Sequence, residues 1–153
     1  MTQRAIPVVA RSALWLSIVS QLFSNRLSTL LKPHGLTVGQ FGILNHIVRQ
    51  GSAGAERVSD IAAAVEVNQP AVTKALFKFQ AMGLVHFVDN QNDRRSKSVV
   101  PNPEASELLS LIYQDLKPDL SEAFGAIGDE DIEQFAEMLE KFGKWLDKNR
   151  LPL

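Results

Sequence analysis

Between Gln69 and Lys78 the chain sets Gln69, Pro70, Ala71, Thr73, Lys74, Phe77 and Lys78 on one side of a helical wheel. Val72, Leu76 and Phe79, with Ala75 at their edge, form the opposite, core-facing stripe. The outward set offers an amide, a hydroxyl and two ammonium groups, with no carboxylate among them. Amides and ammonium groups hydrogen-bond base edges in a major groove, and lysines also neutralise phosphates. An ordinary amphipathic helix with a solvated basic face would carry the same residues, so this stretch alone leaves both readings open. Farther on, Arg94, Arg95 and Lys97 put three cations within four positions. A solvated turn has no need of that density, whereas an arginine at the tip of a hairpin can enter a minor groove. The second cluster tips the balance toward a polyanion.

Such side chains work only if a helix is held with one face outward, and Val58 to Val85 reads as that device. A first helix is expected to start with Ser59 as N-cap and to bury Ile61, Ala62 and Val65. A break at Glu66-Val67 leads to Asn68, a second strong N-cap, and Pro70 falls in the first turn, where its missing N–H has no partner to lose. Val67 and Val72 stand at the positions of a hydrophobic staple. Gly83 closes the helix. Period-two runs at Leu84–Asp89 and Ser96–Val100, joined by the polar turn 90–95, then predict a two-stranded wing beside it.

The flanks are helical. From Val8 to Lys32 neither proline nor glycine interrupts, and Trp15, Ile18, Val19, Leu22, Phe23, Leu27 and Leu30 recur at helical spacing, until Pro33 and His34-Gly35 end the run. Thr37 and Gln40 form a capping box for a helix with Phe41, Leu44, Ile47 and Val48 on its buried stripe. A flexible loop at 51–54 and a very short strand at Glu56–Val58 come next. After the link Pro101-Asn102-Pro103, Leu108, Leu109, Ile112, Leu116 and Leu120 share one stripe of a helix that Pro118 is expected to kink. Beyond a break at Gly125–Gly128, Asp129, Glu130 and Asp131 are expected in the first turn of a last helix carrying Ile132, Phe135, Leu139, Phe142, Trp145 and Leu146. A helix of roughly 25 residues is about 40 Å long, more than a small winged helix needs to cover. The surplus apolar stripe predicts a partner, most simply an identical chain across a two-fold axis, which would set two such helices in successive major grooves.

The 153 residues carry a net charge of −1, which hides an asymmetry. Residues 1–98 hold 11 Lys/Arg against 5 Asp/Glu, and residues 99–153 hold 5 against 12. A polyanion-binding part followed by an acidic helical part produces this division. There is no cysteine, so disulfides and thiol redox chemistry are excluded. Neither a membrane-spanning apolar run nor a signal peptide pattern is present, and a cytoplasmic protein is expected. His34, His46 and His86 lie on different elements without metal-ligand spacing, and no phosphate-cradling glycine loop or nucleophile elbow occurs. Neither an enzyme nor a metal site is expected.

The order of elements and three motifs resemble the MarR family of bacterial transcription regulators over essentially the whole chain. Gly35 to Phe41 is similar to the family's G-L-T-x-x-Q-F/W, and Val67 to Lys74 to its V-S/T-Q-P/S-A/T-V-S/T-R/K. Asn92 to Lys97 resembles the wing signature D-x-R/N-D-x-R. There are departures. Asn90 and Asn92 stand where Asp and Arg are usual, which thins the wing's ion pairs. The stretch 101–105 replaces L-T-x-x-G, which is expected to stiffen the entry to the next helix. Phe77 takes an outward position where relatives carry a charge. The resemblance implies a mainly α fold with a small β-hairpin wing. It assigns 36–100 to a winged helix-turn-helix part, and 8–32 and 104–149 to dimerisation helices. It implies a homodimeric, sequence-specific regulator of double-stranded DNA, a repressor or an activator with a ligand-responsive repressor favoured, on a pseudo-palindromic operator; a protein-interaction module is the competing reading. Gln69, Pro70, Ala71, Thr73 and Lys74 would lie in the major groove, Lys78 and Lys97 on phosphates, and Arg94 or Arg95 in the minor groove. Asp93 would be a structural partner of a neighbouring arginine. No cofactor is implied. Members commonly release DNA on binding a small aromatic or phenolic effector, for which Trp15, His34 and Phe41 are candidate wall residues.

Overall fold

The computed structural model describes residues 7–51, 54–90, 93 and 96–152. Helix α1 (Val8–Leu31) runs into a 3-10 turn (Lys32–His34), which ends on Gly35 at a left-handed φ of 67°. That conformation suits a residue without a Cβ. Helix α2 (Val38–Gln50) opens with the expected capping box, the Thr37 side chain accepting from the Gln40 N–H while the Gln40 side chain accepts from the Thr37 N–H, both at 3.1 Å. Strand β1 (Glu56–Arg57), helix α3 (Val58–Val65), helix α4 (Gln69–Ala81) and strands β2 (Val85–Asp89) and β3 (Lys97–Pro101) follow. Helices α5 (Pro103–Gly125) and α6 (Ile132–Lys148) close the chain. The protein is mainly α with a small antiparallel sheet of order β1-β3-β2.

Several boundaries differ from the sequence expectation. Helix α3 starts at Val58, straight from β1, with Arg57 as N-cap and no side-chain cap, so Ser59 sits inside the first turn. Pairing of Arg57 with Ser98 dictates where β1 stops, and the helix must begin there. Pro101 is the last residue of β3 rather than part of a link. Asn102 donates its N–H to Leu84 O and its Nδ2 to Gly83 O, both at 2.8 Å, fastening the start of α5 to the end of α4. Residues 129–131 form a turn before α6, whose first turn carries Glu133 instead.

The described residues fall into two compact units, divided between Ile112 and Tyr113. The core of the first is built from Leu31, Leu44, Ile47, Ile61, Val72, Leu76, Phe79, Val85 and Val99, all 2% exposed or less. Burying each large aliphatic or aromatic side chain of this set stabilises the fold by about 1.5–3 kcal/mol. His46 and Ser98 are the buried polar residues beside them, and His46 Nε2 lies 2.8 and 3.0 Å from the two carboxylate oxygens of Glu56, tying α2 to β1. In the second unit Phe124 and Phe135 pack with ring centroids 6.5 Å apart. No described helix is long and apolar enough to cross a membrane.

Candidate nucleic-acid interface

The turn between α3 and α4 fixes which face of α4 looks outward. Glu66 takes the left-handed region at φ 53°, and the N–H groups of Glu66 and Val67 bond back to Ala63 and Ala62. Asn68 then caps α4, its Oδ1 accepting from the Ala71 N–H at 2.9 Å, and Pro70 occupies the first turn. Val72, Ala75, Leu76 and Phe79 are buried, and Gln69, Pro70, Ala71, Lys74 and Phe77 are exposed, with Thr73 half-buried. Gln69, Pro70, Thr73, Lys74 and Phe77 line one open concavity of about 610 Å³.

A second cleft, of about 290 Å³, lies between this helix and the hairpin, and Gln69, Thr73 and Phe77 form one of its walls. Its other side brings in Arg57 and Ser59 from the β1–α3 junction together with Phe87, Ser96 and Lys97 from the hairpin. The ring of Phe77 packs against Phe87 on β2 with centroids 5.5 Å apart, and the Lys97 ammonium stands 5.8 Å from the Phe87 centroid. Phe77 therefore supports the hairpin, and a cation–π contact orients Lys97. Arg57 has no signal of its own in the sequence. Pairing of Glu56 and Arg57 with Val99 and Ser98 is what brings it beside the wing.

In the turn that joins the two hairpin strands the Asn90 amide donates to Ser96 Oγ at 3.3 Å, and the Ser96 N–H and hydroxyl both donate to the Asp93 carbonyl. Arg94 and Arg95 lie outside the described residues. Lys78 sits lower on α4, half-buried, and donates to the Gly35 carbonyl and to Gln40 Oε1. The three expected effector residues are spread out: Trp15 is exposed on α1, His34 is half-buried in the 3-10 turn, and Phe41 is buried on α2. Neither cleft described above is lined by any of them. Among the described residues no cluster of three or more His, Cys, Asp or Glu is placed to hold a metal ion.

A capped outward helix, the helix preceding it and a two-stranded hairpin at its end define a winged helix-turn-helix protein. Comparison with known proteins agrees. The model of the MarR family matches residues 34–96. The HTH-type transcriptional regulator PecS of Dickeya dadantii (strain 3937) is 24% identical over 135 residues, covering 88% of this chain and 81% of that protein. Apo MarR from E. coli superposes with a TM-score of 0.75 at 21% identity, covering 91% of this chain and 98% of that one. A cysteine-to-serine mutant of the same regulator, solved in complex with operator DNA, gives a TM-score of 0.68 at 21% identity over 88% and 94% of the two chains. Residues 34–96 thus match the MarR family, and over most of its length the chain is similar to transcription regulators of this kind.

Proposed function

We propose that this protein is a sequence-specific regulator that binds double-stranded DNA as a homodimer, with α4 in the major groove and the hairpin on the adjacent backbone and minor groove. The observation that carries the reading is the outward face of α4, where Gln69, Thr73 and Lys74 stand together without a carboxylate, flanked by Lys97 and Arg57. Among the described residues, no carboxylate lines either cleft. Gln69, Thr73 and Lys74 would bond base edges, with Pro70 and Ala71 giving apolar contact, while Lys97 and Arg57 would neutralise phosphates. The operator complex of the E. coli relative supports the same use of this fold.

Exposed apolar surface supports the second chain. Trp15, Val19 and Leu22 on α1 and Met138, Trp145 and Leu146 on α6 are between 46% and 63% exposed. Monomeric proteins seldom leave that much large apolar surface in water, and an identical chain is the commonest partner that covers it. A two-fold dimer reads a pseudo-palindrome, and the natural role is a cytoplasmic repressor. A small aromatic effector would release it by preferring one spacing of the two α4 helices over another.

Fluorescence anisotropy on the duplex upstream of the protein's own coding region, against a scrambled duplex at two salt concentrations, tests the proposal. Nanomolar, selective binding with two chains per site is expected, and aromatic carboxylates can then be screened on that complex. Equal, weak binding to both duplexes would favour a protein-interaction module on the same fold.

A further inference from the structure

Lys78 belongs to the outward, basic side of α4 by its position in the wheel, yet its ammonium is engaged within the protein. It donates to the Gly35 carbonyl and, at 3.0 Å, to Gln40 Oε1. The same Gln40 oxygen accepts the Thr37 N–H, so Lys78 lands on the capping box that opens α2. Gly35 is the left-handed residue that ends the 3-10 turn after α1. Both acceptors thus belong to the junction where α1 gives way to α2, far from α4 in sequence. Hydrogen bonds from an ammonium are charge-assisted, and a half-buried lysine would have to surrender two of them to reach a phosphate.

We infer that Lys78 is a positioning residue for DNA binding: it holds α4 at a fixed setting against the α1–α2 junction and does not itself meet DNA. The inference rests on the DNA-binding reading above. Hydrogen bonds to base edges weaken steeply with small errors of distance and angle, so a helix that presents three such side chains needs anchorage at its other end. Val72, Leu76 and Phe79 supply apolar burial, a driving force that is non-directional. The Lys78 contacts are directional, and they join α4 to the junction where the long first helix passes into α2.

The test compares the parent, Lys78→Met and Gln40→Glu on a duplex that the parent selects from a randomised pool, by anisotropy over a salt series, with circular dichroism melts alongside. Methionine keeps the apolar stem and removes the donors. Lys78→Met is expected to weaken binding about tenfold, as removal of a charge-assisted pair does, with the slope of log K against log salt unchanged. A lysine that neutralised a phosphate directly would instead lower that slope by about 0.9 when removed. Gln40→Glu keeps an acceptor for both Thr37 and Lys78, and is expected to bind like the parent. Equal binding by Lys78→Met, or a fall in its slope, would overturn the inference. Should Lys78→Met not fold, Gln40→Glu decides: weakened binding by a well-folded Gln40→Glu protein means that the new carboxylate has drawn Lys78 off DNA, and positioning is refuted. A parent that selects no sequence would sink the DNA-binding reading itself, a result distinct from either.

Discussion

Lys74 and Lys78 are one helical turn apart on α4, yet they stand in different surroundings. Lys74 is exposed in the open concavity beside Gln69 and Thr73, and Lys78 is bonded to Gly35 and Gln40. Lys74→Ala should therefore weaken operator binding by about 1–3 kcal/mol, the range of a good base contact, and should change the preferred sequence in a selection experiment. Arg95→Ala should weaken binding by a comparable amount or less, as expected for a groove or phosphate contact, without altering preference in the major-groove half-site. If both variants bind like the parent, the groove assignment is wrong. Glu66 permits a prediction about stability. A residue with a Cβ is strained at φ 53°, and a β-branched one more so. Glu66→Val should be less stable than Glu66→Gly by about 1 kcal/mol, read as the difference between their unfolding free energies. Equal values would mean that the α3–α4 turn can rearrange.

At the scale of elements, the join between α4 and the wing is an aromatic one. Phe77 would be an anomaly on a DNA-reading face if it pointed at bases, since it offers no hydrogen bond. Against Phe87, and with Lys97 over the second ring, it serves to hold the hairpin at a set distance from the helix. A double-mutant cycle with Phe77→Leu and Phe87→Leu should give a coupling of about 0.5–1.5 kcal/mol in chemical unfolding. Additive losses would mean the rings do not support each other. Caps and turns were the most legible features at this scale. Thr37 with Gln40, Asn68 with Pro70, and Gly83 each act through neighbours within four positions, so a local reading suffices. The start of α3 was not legible, because Ser59 is a good cap by type but β1 pairing with β3 settles the boundary two residues earlier.

For the whole molecule, the apolar faces of α1 and α6 make the quaternary prediction. Leu22→Glu and Trp145→Glu place charges on surfaces that are more than half exposed in the single chain, so neither should disturb the core. Each is expected to shift the protein from dimer to monomer in sedimentation, and to weaken DNA binding by far more than removing a single hydrogen bond would. A parent that sediments as a monomer would refute the homodimer.

Composition and pattern alone determined the class of this protein: caps, proline and glycine placement and hydrophobic period are local, and they sufficed for the order of helices, the outward face of α4 and the hairpin after it. The resemblance to the MarR family rests on those same motifs. The tertiary structure decided which polar side chains stand in the open clefts. Lys78 and Lys74 are indistinguishable by type and helical phase, and only the approach of Gly35 and Gln40 separates them. Arg57 joins the cleft because a two-residue strand pairs with β3, and Phe77 turns to the wing because Phe87 faces it. Contacts between residues tens of positions apart depend on how the elements pack, and packing leaves no periodic trace along the chain.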